Sequence, residues 1–142
     1  MGHLLGVDKY RTAIEARFIA AEELVRAGWI TAPTIDNAPL ADLLAVEGKM
    51  RLAIAVSVKG RSAKGNKKYW PIKTTLRKKP PPKSSSFYYA FVDNPTREVY
   101  WVPSMELPLK SRDFVDRRTR KMRTWYRVYS GDIESYLRRI PT

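Results

Sequence analysis

The sequence predicts one domain of α/β (α+β) class, with a mixed central sheet flanked by helices. Three observations carry this. Residues 11–28 place apolar side chains at helical spacing, and the apolar runs that follow, within 29–35, 40–47 and 50–59, read as strands. Two more such runs, 87–94 and 98–104, come after a basic stretch and precede short helix-like segments. The 142 residues fit a single core, and no repeat or composition break marks a second domain, so 1–142 is read as one unit.

The elements follow in order. In "RTAIEARFIAAEELVRAG", Ile14, Phe18, Ala21, Leu24 and Val25 form one apolar helix face. Thr12 and Glu15 make a T-x-x-E capping box that puts the helix start near Thr12, and Gly28 suits its C-terminal stop. "WITAPTI" reads as an edge strand, because Pro33 lacks a donor. Asp36–Pro39 is turn chemistry. "ADLLAVEG" and "MRLAIAVSVK" form an antiparallel hairpin across Glu47-Gly48-Lys49. Leu52, Ile54, Val56 and Val58 share one face of the second strand. Ala53, Ala55, Ser57 and Lys59 share the other, where small side chains leave room for a helix, or for a ligand and metal.

From about 60 to 86 the chain carries nine Lys and Arg and no acid. It reads as a flexible basic arm or long hairpin with Tyr69-Trp70 as an anchor. "FYYAFVDN" and "EVYWVPS" are two strands joined by a turn at Asp93-Asn94-Pro95-Thr96. "SMELPLKS" is read as a short helix capped by Ser104. A basic C-terminal region spans about 110–142. Within it "RDFVDRRTRKMRTWYRVYS" reads as irregular or weakly helical, and "SGDIESYLRRI" as a short helix capped by Ser130.

Bulk chemistry excludes several functions. No apolar run approaches a membrane span, and "MGHLLGVDKY" lacks the pattern of a secretory signal, so the expectation is a cytoplasmic protein with no membrane partner. Cysteine is absent, which removes disulfides and thiolate zinc sites. His3 is the one histidine, which argues against histidine metal sites and a Ser-His-Asp triad. Against this stands the charge. Twenty-seven Lys and Arg face 14 Asp and Glu, a net +13 with pI near 10.2. Such a balance attracts polyanions, and DNA is the leading expected partner. The plainer readings are a basic protein without a particular partner, or one that docks an acidic protein.

Lys64, Lys67, Lys68, Lys73, Arg77, Lys78, Lys79 and Lys83 crowd one stretch with Tyr69 and Trp70 between them. Arg117, Arg118, Arg120, Lys121 and Arg123, with Arg127, Trp125 and Tyr126, repeat the theme. Cations that neutralise phosphates, interleaved with rings that stack on bases, suit nucleic acid. Trp70, Trp101 and Trp125 are more often core than stacking platforms.

One further pattern concerns chemistry. Asp42 opens one strand of the hairpin and Lys59 closes the other, 17 positions later, so the two can converge. Glu15 on the first helix can point to the same cleft. A divalent cation held by carboxylates, beside a lysine, is the equipment of phosphodiester hydrolysis. Each residue also has a plain reading. Asp42 can cap a turn, Lys59 can be a solvated strand end, Glu15 belongs to the capping box, and Glu22 and Glu23 form a solvated helix face. Ser57 can be a small packing residue bonded to backbone.

Together the helix with Glu15 ending "LVRAGW", "DNAPLADLLAV", "AVSVKGRS" and "YYAFVDN…REVYWVPS" resemble the PD-(D/E)XK nuclease superfamily, which includes restriction endonucleases and Holliday junction resolvases. The resemblance spans roughly Thr12 to Ser104. It implies a restriction-endonuclease-like fold and a Mg²⁺ held by Asp42, by the Val58 carbonyl and by Glu15 through water. It implies Lys59 assisting the attacking water or the phosphate, and it implies a homodimer. Two positions depart. Ser57 stands where the family has glutamate or glutamine, and Ala41 where its proline falls. Serine supplies no carboxylate, so two functions stay open. One is a Mg²⁺-dependent DNA endonuclease with Asp42, Lys59, Glu15 and Ser57 at its site. The other is an inactive DNA- or RNA-binding or assembly module of the same fold.

Overall fold

The computed structural model describes residues 2–34, 41–72 and 83–142, with side chains from residue 8 onward. The expected turn at Asp36–Pro39, and Lys73, Arg77, Lys78 and Lys79, lie outside the described residues.

Helix α1 runs Gly2–Arg26, well upstream of the expected start. The T-x-x-E pattern therefore lies inside the helix. No proline interrupts the segment on its N-terminal side, and Leu4, Leu5 and Lys9 offset Gly2 and Gly6, so the helix continues there. The Thr12 hydroxyl instead donates to the Asp8 carbonyl at 2.9 Å, the usual bond of a mid-helix threonine. The C-terminal end is as expected. Gly28 takes φ +97°, a left-handed conformation that suits glycine just beyond a helix.

Five strands form the main sheet: β1 Trp29–Pro33, β2 Leu43–Glu47, β3 Ala53–Arg61, β5 Phe87–Asp93 and β6 Glu98–Pro103, in spatial order β1-β2-β3-β5-β6. β1, β2 and β3 are an antiparallel meander, with Leu43 opposite Val56. β1 is at the edge, where Pro33 costs no ladder bond. β3 and β5 are parallel, with Ser57 opposite Tyr89 and Lys59 opposite Phe91. β5 and β6 are antiparallel across the Asp93–Thr96 turn. The mixed sheet and the mixed α+β class are those the sequence predicts.

A second sheet departs from expectation. β4 (Tyr69–Ile72), β7 (Lys110–Val115) and β8 (Met122–Tyr129) form a three-stranded antiparallel sheet in the order β4-β8-β7. The segment read as irregular or weakly helical is thus a β-hairpin. Its alternation of long charged side chains with Phe, Val, Trp, Tyr and Thr favours strand, and pairing with β4 supplies the nonlocal partner. Within the expected basic arm, β3 extends to Arg61 and β4 occupies 69–72. The two expected short helices are single 3-10 turns, at Ser104–Glu106 and at Ser130–Asp132, the latter followed by another at Glu134–Tyr136. Neither serine caps its turn. The Ser104 hydroxyl bridges the backbone of Ser84, accepting from its amide at 2.9 Å and donating to its carbonyl at 2.7 Å.

The main sheet lies between α1 and the small sheet. On one face Ala16, Ile19, Ala20 and Leu24 pack on Ile54, Val56, Ala90, Val92, Val99 and Trp101. On the other, Phe87, Tyr89, Phe91 and Val102 meet Trp70, Ile72 and Val128. The helix therefore packs on the Ile54/Val56 face of β3, not on its alanine face, and it does so through a stripe other than the expected one. Leu24 is buried, but Ile14, Phe18 and Val25 are exposed, Phe18 to 70%. The reason is close approach. A Cβ at Gly60 would lie 2.6 Å from the Ala16 Cβ and 3.1 Å from the Thr12 carbonyl oxygen, so only small residues fit where α1 crosses β3.

Candidate functional site

Asp42 sits just before β2, where its amide donates to the Val56 carbonyl at 2.8 Å. Its carboxylate turns back on the next strand. Oδ2 accepts from the Val58 amide at 2.7 Å, and Oδ1 lies 3.3 Å from the Arg17 guanidinium. Asp42 thus ties the start of β2 to β3 and to α1. The turn-capping reading had the right kind of bond, backbone amide to carboxylate, on a different segment.

The residues expected to gather around Asp42 do not all do so. Arg17 reaches Asp42 from α1, and Glu15 is two positions away, about 200° round the helix. Glu15 is exposed and lines a groove with Arg11, Ile14, Phe18 and Arg97. It therefore does not share the Asp42 site. Lys59 falls, by the β3–β5 register, on the face that carries Ser57 and Phe91, whereas the Asp42 carboxylate turns toward α1. Val58 meets Asp42 through its amide, a donor that a cation cannot use. Ser57 is buried on the strand beside Tyr89.

The Mg²⁺ that the resemblance implies fits poorly here. A hard cation needs several oxygen ligands with anionic charge among them. The one carboxylate is already engaged by an amide and a guanidinium. Among the described residues no group of three or more His, Cys, Asp or Glu is placed to hold a metal.

A second carboxylate carries an unexpected environment. Glu23 is half-buried rather than solvated, and accepts from the Trp101 indole at 3.1 Å. Burial holds its carboxyl above the ordinary range, partly offset by that hydrogen bond and by Arg138. Its neighbour Glu22 is paired with Arg26 at 2.6 Å and with Arg97 at 2.7 Å. They line a small cleft with Ile19, Thr96 and Arg138, and its acids are all matched by donors.

The basic segments fare differently. β4 pairs with β8, so Tyr69 is opposite Tyr129 and Pro71 opposite Arg127. Lys64, Lys67 and Lys68, exposed just before β4, thereby flank the Tyr129 end of β8, and Arg117, Arg118, Arg120, Lys121 and Arg123, all exposed in or beside the β7–β8 turn, lie at its opposite end on the same sheet. Arg123 is held at 2.9 Å by Asp116. Trp70 is a correction. It is only 2% exposed, tilted against Phe91 at 5.2 Å, and so belongs to the core rather than to a binding surface. The Arg61 guanidinium lies over the Trp70 ring, 4.4 Å from its centre, donates to Ser130 Oγ at 3.1 Å, and lies 3.7 Å from Asp93. That clasp joins the two sheets.

Lys110, Arg112, Phe114 and Tyr129 escaped the sequence reading, yet they lie on this sheet. The alternation in "KSRDFV" and "MRTWYRVY" was the available signal. Charge density hid it. No family model, curated protein or solved structure matches the chain. No helix among the described residues is long and apolar enough to cross a membrane.

Proposed function

We propose that the protein binds nucleic acid, DNA first, through the three-stranded sheet and the basic turns around it, without hydrolysing phosphodiesters at Asp42. One observation carries the reading. The β4–β8 pairing puts two basic segments, some fifty residues apart in sequence, on one sheet, Lys64, Lys67 and Lys68 at the Tyr129 end of β8 and Arg117 to Arg123 at its Met122 end. A net charge of +13 gives such a surface long reach toward a polyanion. The absence of hydrolysis follows from the engaged state of Asp42 and from Glu15 pointing elsewhere. The homodimer that the resemblance implies belongs to the same proposal, and sedimentation of the free protein tests it.

A salt series tests the binding. Each phosphate neutralised on duplex DNA contributes a slope of about −0.9 in log K against log salt. A slope of about −3 or steeper is expected, and binding insensitive to salt would point to an acidic protein partner. Incubation with supercoiled plasmid, with Mg²⁺, with Mn²⁺ and with chelator, is expected to give no nicking. Metal-dependent nicking that vanishes in Asp42→Asn would replace this reading with the endonuclease.

A further inference from the structure

Trp70, Ile72 and Val128 point into the core between the sheets. Strand alternation therefore turns Tyr69 on β4, and Trp125, Arg127 and Tyr129 on β8, to the outer face of the small sheet. The β7–β8 register adds their partners. Lys110 is opposite Arg127, Arg112 opposite Trp125, and Phe114 opposite Arg123. The outer face of these three strands thus carries four aromatic rings and four cations, and the carboxylate at its edge, Asp116 just beyond β7, is paired with Arg123 at 2.9 Å. Asp113 alternates to the other face, where it accepts from Thr124 at 2.6 Å.

The rings are not covered by the protein's own core. Phe114 is 41% and Tyr129 37% exposed, and Trp125 is partly exposed. Arg127 lies between two of them, 4.0 Å from the Tyr69 ring centre and 4.1 Å from that of Trp125. This stack fixes both the guanidinium and the rings, so the surface is ordered before anything binds it. A plain reading is a surface ladder that only stabilises the hairpin. That reading explains the stack, but not exposed Phe114 and Tyr129 on a face where cations outnumber the one acid, Asp116, at its edge.

We infer that the outer face of the three-stranded sheet is a stacking platform for single-stranded DNA. The inference rests on the proposed nucleic-acid function and narrows its substrate. A duplex presents phosphates and groove edges but hides the faces of its bases. A single strand offers both phosphates and base faces, which matches a surface of alternating cations and rings. From Arg123 to Tyr129 the platform is about 20 Å long, at roughly 3.3 Å per residue, which accommodates a short run of nucleotides.

The experiment uses the full chain and fluorescence anisotropy with labelled oligo-dT of 15 nucleotides, a duplex of equal length and an oligo-U strand. Single-stranded DNA is expected to bind about tenfold more tightly than duplex at the same salt. Trp125→Ala is expected to weaken that binding about tenfold or more, and Trp125→Phe to restore most of it. Arg112→Glu, a reversal of an exposed charge, is expected to weaken binding with an unchanged thermal midpoint, which separates the surface from any folding defect of the tryptophan variant. Duplex bound as tightly as single strand, oligo-U bound tenfold tighter than oligo-dT, or single-strand affinity unchanged in both Trp125→Ala and Arg112→Glu would each overturn the platform. If those variants leave a salt-sensitive duplex complex intact, the proposed function stands without the platform. If no nucleic acid binds at all, both fall.

Discussion

Replacing Asp42 by alanine tests whether this residue is a bracket or a metal ligand. The change removes the acceptor of the Val58 amide, held at 2.7 Å, and the partner of Arg17 at 3.3 Å. A hydrogen bond to a charged acceptor contributes roughly 1.5–3 kcal/mol. The amide is only part-buried, so water recovers some of this. The ion pair, with side chains 42% and 26% exposed, adds well under about 1 kcal/mol once screening is counted. Asp42→Ala should therefore cost about 2 kcal/mol, which in a chain of this size lowers the thermal midpoint by about 6 °C. Asp42→Asn keeps an oxygen for the Val58 amide and loses only the charge, so it should cost less than about 1 kcal/mol. Thermal and urea melts of both variants, with Arg17→Ala alongside, read the difference directly. Asp42→Ala melting with the wild-type protein would refute the bracket, as would Asp42→Asn falling as far as Asp42→Ala. The comparison also governs any cleavage assay, because activity lost in the alanine variant alone can reflect a loosened β2–β3 junction.

Gly60→Ala should cost roughly 1–3 kcal/mol by overpacking, since its Cβ would sit 2.6 Å from Ala16 and close to a helix carbonyl; a variant as stable as the wild type in urea would show that α1 can retreat. Glu23 has its carboxyl raised by burial, so the fold holds its proton more tightly than the unfolded chain does. Its contribution is full below the unfolded value of 4.5 and is lost as pH rises through the higher folded value. Glu23→Gln, which keeps an acceptor for Trp101, should therefore gain on the wild type as pH is raised from about 4 to 7, and a constant gap across acid melts contradicts this. Burial pushes the Tyr89 phenol up to about 12, so its contribution is full below about 10 and is lost as pH climbs through that range. Tyr89→Phe should flatten the alkaline fall in stability, and an unaltered fall would assign it to other groups.

Much of the main sheet was legible because its signals are local. The hairpin of β2 and β3 follows from period-two apolar runs around Glu47-Gly48-Lys49, and that of β5 and β6 from Asp93–Thr96. The edge position of β1 follows from Pro33. The helix start was misread because a capping box acts only where upstream residues are not helical. Its buried face was misread because α1 carries two apolar stripes. The bulkier one, with Ile14, Phe18 and Val25, has the larger hydrophobic signal, but the approach to Gly60 selects the stripe with Ala16 and Ala20. Asp42 and Lys59 illustrate the limit at a site. Their spacing permits convergence, yet the face each uses is set by Arg17 and by the register with β5, and neither contact is local.

The small sheet shows why aromatic residues within basic segments resist reading from sequence. Tyr69 and Trp70 are neighbours, as are Trp125 and Tyr126, and each pair looks like a unit. A strand separates such neighbours to opposite faces. Trp70 goes to the core and Tyr69 to the outside; Tyr126 packs toward the core and Trp125 outward. The pairing of β4 with β8 then assembles the outward members, Tyr69 and Trp125, around Arg127. Charge alone would have assigned both members of each pair to the ligand, and hydrophobicity alone would have assigned both to the core. The division follows from strand parity, and parity is fixed by the residues that fill the space against Phe91 and Val102. Thus the same packing that hides Trp70 puts Trp125 on the surface, and substitutions at these two tryptophans should differ in kind: in urea melts Trp70→Ala should cost about 3–5 kcal/mol, whereas Trp125→Ala should spare the fold and weaken binding.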